Sequence, residues 1–137
     1  MIQAALPEVP LEAWLAFARA LVEQQDRLET GIISIVSEQG YIAGLSSYRV
    51  HRSLTHGQSL TADHFVAMDM FDRGAVVHAL AEAVEALARE RQCGAVHTTL
   101  LEKNSADDTA AALARCGHRV ESVRLCKILP HTVAARN

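Results

Sequence analysis

The central stretch of the chain, Leu60 to Gln92, reads LTADHFVAMDMFDRGAVVHALAEAVEALARERQ. Residues 60–70 are rich in β-branched, aromatic and long apolar side chains, which predicts a strand, whereas residues 75–92 have helical spacing. The break FDRG at residues 71–74 predicts a tight turn. A strand that leads directly into a helix creates an anion site, because the first N–H groups of the helix lack partners and lie at the positive end of the helix dipole.

Composition limits the kind of protein to which such a site belongs. The chain has 137 residues, 50% of them hydrophobic and 21% charged, which predicts a single globular domain over residues 1–137. Its net charge of -3 means that the chain lacks the excess of positive charge with which proteins usually bind the phosphates of DNA or RNA. We therefore expect no nucleic-acid partner. No apolar run approaches the roughly 18 to 20 residues of a membrane span and no signal-peptide pattern opens the sequence, so we expect no membrane partner.

The cysteines and histidines form no recognisable disulfide or metal pattern. Cys93, Cys116 and Cys126 are odd in number and lack C-x-x-C spacing, which predicts free thiols and a cytoplasmic location. His51 and His56 span a predicted strand end and turn, with no third ligand nearby. We therefore predict no metal site.

Upstream of the central stretch, the segment 1–30 predicts a short strand and the first helix. The strand takes residues 1–7, and the helix runs from Pro10 to about residue 27 or 28. The residues predicted on the buried face of this helix are Leu11, Trp14, Leu15, Ala18, Leu21 and Val22. Three antiparallel strands joined by hairpin turns are predicted next, at residues 31–37, 41–52 and 60–70.

Downstream of the central stretch, the sequence predicts a strand, a helix and a closing strand. Gly94 is a predicted cap for the central helix. The elements predicted after it are a strand at 95–101, a helix from Ser105 to Gly117, one long strand or two short ones at 119–129, and a frayed tail at 130–137. The order is β-α-β-β-β-α-β-α-β. The fold class is α/β with a mixed sheet, because a strand that follows a crossover helix pairs in parallel with the strand before it.

This order and several segments of the sequence resemble the GNAT family of acyl-CoA-dependent N-acetyltransferases. The segments are SYRVHRSLTHGQSL with TADHFVAMD, ALAEAVEALARERQCGAVHTTL, and ARCGHRVESVRLCKIL. The resemblance covers residues 31–129 and implies a GNAT-like, mostly antiparallel mixed sheet flanked by helices. It also implies an acyltransferase that takes acetyl-CoA as cosubstrate and transfers the acetyl group to an amine of a small molecule or a protein.

The resemblance places the pyrophosphate of coenzyme A at the turn before the central helix. The residues that it assigns to cofactor binding are Met68, Met70, Arg73, Gly74, Ala75, Val76, Val77 and His78. The family motif R-x-x-G-x-G/A is not matched, because its two later small positions hold Ala75 and Val77 in one register, or Val76 and His78 in the other. Valine resists the close backbone approach that glycine allows.

His64 and Tyr48 are the predicted catalytic residues. His64 lies on the predicted strand 60–70, where many GNAT proteins place a base, and imidazole exchanges protons near neutral pH. Strand alternation puts Ala62, His64, Val66 and Met68 on one face, and Asp63, Phe65, Ala67 and Asp69 on the other. Tyr48 and His97 are expected to reach the same cleft. A packing or surface role is the alternative for each of them.

The departures from the family leave a second hypothesis open. Leu113 stands where the family often has a tyrosine that protonates the leaving thiolate, and leucine cannot act as a general acid. Together with the unmatched motif, this substitution favours a catalytically inactive GNAT-like domain that binds a ligand or forms a homodimer.

Overall fold

The computed structural model describes residues 10–23, 29–68, 72–100 and 108–130, which form three helices and one sheet. The helices are α1 (Leu11–Glu23), α2 (Arg73–Glu90) and α3 (Asp108–Arg115). The strands are β1 (Thr30–Val36), β2 (Ile42–Ser53), β3 (Gly57–Ala67) and β4 (Ala95–Thr98). Not one of these described helices combines the length and the apolar character that crossing a lipid bilayer requires.

The sheet confirms the predicted mixed topology. Its strand order is β1-β2-β3-β4, with antiparallel pairing between the first three strands and parallel pairing between β3 and β4. The crossover between β3 and β4 contains α2, because a parallel neighbour cannot be reached through a hairpin. The fold class is therefore the predicted combination of a mixed sheet with flanking helices.

One face of the sheet packs against α2, which also packs against α3, and together they form the core. The buried residues of α2 recur at spacings of three and four: Val77, Leu80, Ala81, Val84 and Ala88. They form one cluster with Leu60 and Phe65 of β3 and with Leu113 of α3. Gly44 allows α2 to approach β2 closely, because a Cβ atom there would lie 2.9 Å from Cγ1 of Val76.

The buried face predicted for the first helix is partly wrong. In α1, Trp14 and Ala18 are half-buried, but Leu11 and Leu15 are 50% and 45% exposed. The physical reason is that α1 lies outside the core cluster, so it buries a narrower stripe than its periodicity indicates. Residues 24–28, at the predicted end of this helix, and the side chains of residues 21–23 lie outside the described part of the chain.

The predicted boundaries of the central helix also need correction. Arg73 and Gly74 belong to the first turn of α2, because Asp72 caps the helix one residue before them. At the other end, Gln92 has the left-handed backbone, with φ of 59°, so Gly94 is not the cap. The N–H of Gly94 instead donates to the carbonyl of Gln58 over 2.8 Å, which ties the start of β4 to β3.

The end of α3 confirms the prediction made for Gly117. Its φ of 96° is left-handed, which glycine adopts without strain. The N–H of Gly117 donates to the carbonyl of Ala114 over 3.1 Å, and that of His118 donates to the carbonyl of Leu113 over 3.0 Å. These two bonds form a Schellman cap, which stops the helix and turns the chain back.

The closing strand predicted for residues 119–129 is wrong. Residues 118–130 contain no strand, and none of the four described strands pairs with them. Val123 and Leu125, the residues whose alternation suggested a strand, are 81% and 89% exposed. Apolar alternation shows that a strand is feasible, but a strand forms only where a sheet edge supplies partners for its backbone. The predicted strand at 1–7, the helix start at Ser105 and the tail at 131–137 lie outside the described residues.

Leu80 tests the packing of α2 on the sheet. Its side chain is 0% exposed at the centre of the core cluster, so Leu80→Ala should lower the free energy of unfolding by about 2 to 5 kcal/mol in a urea titration. Leu54→Ala is the matched control, because Leu54 at the β2–β3 turn is 103% exposed. Equal effects of the two substitutions would contradict this packing.

Candidate functional site

The edge of β3 loses its parallel partner halfway along its length. Pairing with β4 runs from Ser59, opposite Ala95, to Ala62, opposite Thr98. The last bond between the two segments is the N–H of Thr99 donating to the carbonyl of Ala62 over 3.0 Å. β3 continues to Ala67 in register with β2 alone. Among the residues that the structure describes, no strand pairs with the β4 side of residues 63–67, and this unpaired edge of β3 is called the opening below.

A β-bulge lies in β3 at the start of this opening. Asp63 pairs with Ser47 and Val66 with Leu45, so His64 and Phe65 together oppose Ser46 alone. His64 carries the bulge conformation, with φ of 53°. The extra residue shifts the alternation, so Phe65 enters the core cluster while His64 is exposed. The predicted assignment of side chains to two faces is therefore wrong from His64 to Ala67, and Asp69 lies outside the described residues.

Two buried serines hold the bulge in place. Ser46 and Ser47, 0% and 3% exposed, both donate hydroxyl hydrogen bonds to the carbonyl of Asp63, over 2.8 and 3.0 Å. A bulge leaves backbone groups without their ladder partners, and a buried carbonyl without a partner is costly. The serine hydroxyls satisfy this carbonyl and so stabilise the local geometry.

The same hydrogen bonds orient the imidazole of His64. The ring Nδ1 lies 3.0 Å from the hydroxyl oxygen of Ser47. That hydroxyl has one hydrogen, and the Asp63 carbonyl can only accept it, so both contacts are hydrogen bonds only when Nδ1 carries the ring proton. Nε2 of the neutral ring then holds the lone pair. Phe17 and Trp14 of α1 lie against the imidazole, with ring centroids 4.8 and 6.5 Å away.

The opening leads to the start of α2, where the sequence predicted an anion site. Asp72 occupies part of that site, because its carboxylate accepts from the N–H of Ala75 over 3.2 Å. The backbone carbonyl of Asp72 accepts from the N–H of Val76 over 3.0 Å. Carboxylate caps are favoured at helix starts for the same electrostatic reason that phosphates are. A phosphate placed here therefore meets a negative charge as well as the helix dipole.

The two valines of the unmatched motif point into the protein. Val76 is 8% exposed and Val77 is 0% exposed, so both side chains serve the packing of α2 on the sheet. Of the other predicted cofactor residues, Ala75 is exposed, whereas Arg73, Gly74 and Met68 are half-buried. Met70 lies outside the described residues.

His78 already has protein partners. Its Nε2 lies 2.5 Å from a carboxylate oxygen of Glu82, four residues along the helix, a spacing at which side chains on a helix surface meet. Its Nδ1 lies 3.3 Å from Sγ of Cys116. A phosphate contact from His78 would have to replace one of these interactions.

Tyr48 and Leu113 lie in the core cluster. Tyr48 is 6% exposed, and its ring packs directly over Gly31, where an added Cβ atom would lie 2.6 Å from the hydroxyl oxygen. The structure does not bring this ring together with the exposed imidazole of His64. Leu113 is 4% exposed, so a buried apolar side chain fills the position that the resemblance assigns to a general acid.

The positive φ of His64 predicts that two substitutions at this position differ in stability. Both His64→Gly and His64→Ala remove the imidazole, but only glycine adopts a positive φ without strain. In a urea titration His64→Gly should be more stable than His64→Ala by about 1 kcal/mol. Asp63, the preceding residue, has no positive φ, so there Gly should be less stable than Ala by about 0.5 to 1 kcal/mol. The same order at both positions would contradict the bulge.

Several known structures with a similar fold are acetyltransferases. No family model matches the sequence, and no curated protein matches it. AAC(6')-Iy, solved with a bisubstrate analogue of coenzyme A, superposes with a TM-score of 0.70 at 13% identity, covering 94% of this chain and 86% of that chain. Glucosamine-6-phosphate N-acetyltransferase from Arabidopsis thaliana gives 0.66 at 16% identity, covering 87% and 78%.

An acetyltransferase of Trypanosoma brucei gives a TM-score of 0.65 at 17% identity, with 93% of this chain and 87% of that chain covered. At these identities the similarity shows the fold. The chain has the fold of the GNAT acetyltransferases.

Proposed function

We propose that this protein is an acyl-CoA-dependent N-acyltransferase that transfers an acetyl group from acetyl-CoA to an amine. The observation that carries the proposal is the open edge of β3 at residues 63–67, which has the exposed His64 at one end and leads to the start of α2 at the other. The acetyltransferases of similar fold support it, and one of them binds an analogue of coenzyme A.

The open edge suits the extended arm of coenzyme A. The arm contains amide groups, and an extended amide chain adds to an unpaired strand edge through backbone hydrogen bonds. The N–H groups of the edge also suit the thioester, since they stabilise negative charge that develops on its carbonyl oxygen during attack. At the far end, Arg73 in the first turn of α2 pairs with the pyrophosphate through a charge-assisted bond.

His64 acts as the base in this proposal. The amine nitrogen attacks the thioester carbon, a C–N bond forms, the C–S bond breaks, and coenzyme A leaves as a thiolate. Nε2 of His64 takes the proton that the amine nitrogen loses, because Ser47 engages Nδ1 and leaves the lone pair on Nε2. Water protonates the thiolate, since the buried Leu113 stands where a side-chain acid is expected.

The acceptor is an amine of a small molecule or a protein. Trp14 and Phe17 of α1 lie against the imidazole of His64, so the acceptor approaches along this helix. The proposed location is the cytoplasm, which the free thiols of Cys93, Cys116 and Cys126 support.

The role of His64 predicts the pH dependence of the reaction. With glucosamine 6-phosphate, neamine and a lysine peptide as trial acceptors, the rate of coenzyme A release should rise with pH and then level off, as expected when one general base takes the proton of the amine. His64→Gln should lower the rate by about 100-fold or more and remove this rise. Ser47→Ala should lower the rate but keep its rise with pH, because His64 remains as the base but loses the hydrogen bond that orients its ring. A wild-type rate and profile in His64→Gln would show that another group is the base.

The start of α2 predicts two opposite effects on the affinity for acetyl-CoA, measured by calorimetry. Arg73→Ala should weaken binding by about 1.5 to 3 kcal/mol, because a charge-assisted bond to the pyrophosphate is lost. Asp72→Asn should strengthen binding by about 0.3 to 1 kcal/mol, because asparagine still caps the helix but carries no negative charge.

Arg89→Ala is the control for these measurements. Arg89 lies in the last turn of the same helix, where it forms an exposed ion pair with Glu85 over 3.0 Å. This variant should bind acetyl-CoA as the wild type does. If Arg73→Ala and Asp72→Asn also leave the affinity unchanged, the pyrophosphate does not bind at the start of α2.

The second candidate function is a catalytically inactive GNAT-like module that binds a ligand or forms a homodimer. The capping carboxylate of Asp72 favours it, because this group competes with a phosphate for the helix start. Five large apolar residues exposed after α3 agree with a contact to a second copy: Val120, Val123, Leu125, Ile128 and Leu129. No calorimetric heat with acetyl-CoA, together with a dimer in sedimentation, would favour this module over the enzyme.

A further inference from the structure

A cluster of two histidines and a glutamate lies outside the opening beside β3. Nε2 of His97 lies 3.1 Å from one carboxylate oxygen of Glu121, and Nε2 of His56 hydrogen-bonds to the other. The rings of His56 and His97 have centroids 5.4 Å apart. One ligand atom from each of the three residues lies within 4.8 Å of the other two.

We propose that His56, His97 and Glu121 form a binding site for a divalent transition metal, with Zn²⁺ as the preferred ion. Two imidazole nitrogens and one carboxylate oxygen are a ligand set that Zn²⁺ takes in proteins. Imidazole ligands also suit transition metals better than they suit Mg²⁺ or Ca²⁺, which prefer oxygen. The prediction of no metal site rested on the lack of a third ligand near His51 and His56. The fold supplies two further ligands to His56 from distant parts of the sequence.

The spacing of the three ligand atoms is close to what a tetrahedral ion needs. Bonds of about 2.0 to 2.2 Å at tetrahedral angles place the ligand atoms about 3.3 Å apart. The pair formed by His97 and Glu121 already has this separation, at 3.1 Å. Binding would replace the two hydrogen bonds between the histidines and the carboxylate by three bonds to the metal, with small side-chain rotations.

The two histidines lie on firmly connected parts of the sheet. His97 is on β4, opposite Thr61 of β3 in the parallel register, on the face away from the half-buried Val96. His56 is in the β2–β3 turn, and an added Cβ atom at Gly94 would lie 3.2 Å from the carbonyl oxygen of His56, so the turn packs against the start of β4. This packing fixes the distance between the two elements before a metal binds.

Glu121 comes from the segment after α3, which contacts the sheet at His118. The Schellman cap at Gly117 turns the chain out of α3, and Nε2 of His118 lies 3.2 Å from the hydroxyl oxygen of Thr98 at the end of β4. Glu121 follows three residues later. Its two carboxylate oxygens contact His56 and His97, so the three ligand groups already face one another.

The site keeps one coordination position open. The side chains of His56, His97 and Glu121 are 33%, 27% and 43% exposed, so solvent reaches the cluster. An open cavity of about 420 Å³ adjoins it, lined by Ser53, Thr55, His97, Glu121 and Ser122. Three protein ligands with a water in the fourth position are the arrangement of accessible zinc sites.

A bound metal would cross-link the segment 118–130 to the sheet, because the three ligands come from separate parts of the chain. This segment contains no strand, and residues 119–130 are exposed, so a cross-link at Glu121 constrains it more than any other contact described for it. The proposal is independent of acyl transfer, since the cluster shares no residue with the opening beside β3.

Titration of ZnCl2 into untagged, chelator-treated protein tests the site. The wild type should bind one Zn²⁺ ion, and Co²⁺ bound in its place should give the visible absorption of a tetrahedral centre. His56→Gln, His97→Gln and Glu121→Gln should each weaken binding by more than about 100-fold, which exceeds the loss caused by changing residues around a metal site. His51→Gln is the matched control, because His51 bonds to Thr61 and its ring stacks 6.1 Å from His97 without belonging to the cluster.

Glu121→Gln keeps the result interpretable if a histidine variant fails to fold, because glutamine has the same shape and Glu121 is on an exposed segment. Circular dichroism of each variant shows whether the fold is intact. No Zn²⁺ binding by the wild type, or equal binding by the folded Glu121→Gln variant, would overturn the proposal and leave the cluster as an ion pair between histidines and a carboxylate.

Discussion

The bulge at His64 is the constraint on which the candidate site depends. Hydroxyl groups of Ser46 and Ser47 bind the carbonyl of Asp63, which compensates for the interrupted ladder and holds His64 at a positive φ. The bulge turns Phe65 into the core and His64 outward, so one local irregularity both anchors β3 and exposes a base. It also lies where β3 parts from β4. The position of the opening and the orientation of the imidazole therefore have the same physical origin.

The two ends of the opening differ in how well they suit a coenzyme. At the bulge, the imidazole of His64 is exposed and is oriented by the hydroxyl of Ser47. At the start of α2, Asp72 supplies its own negative charge to the helix dipole, and Val77 is committed to the core. A cap of this kind stabilises the empty helix start by about 0.5 to 2 kcal/mol, and a phosphate must compete with it. Asp72 opposes the binding of a phosphate at this helix start, and Arg73 favours it. If Arg73 outweighs Asp72, the protein is an enzyme with a modified cofactor site. If it does not, the protein is a module that no longer binds the cofactor.

The sequence predicted the strands β1 to β4, the helix α2 and the cap at Gly117, because apolar periodicity and turn residues are signals that lie within each local segment. It did not predict the bulge, since His64 gives no glycine signal and the bulge depends on serines of the neighbouring strand. The strand expected at residues 119–129 failed for a related reason: alternation at Val123 and Leu125 does not say whether a sheet edge is available. Likewise, the cluster of His56, His97 and Glu121 joins residues up to 65 positions apart, and such proximity is a property of the fold alone.

The most direct test of the account is to follow the backbone amide signals of the protein by NMR while acetyl-CoA is added. The account predicts that the largest shifts occur along the open edge of β3, at residues 63–67, and in the first turn of α2, at residues 73–75. A mixture of large and small shifts scattered over the surface, or shifts confined to α1 and the segment 118–130, would contradict it.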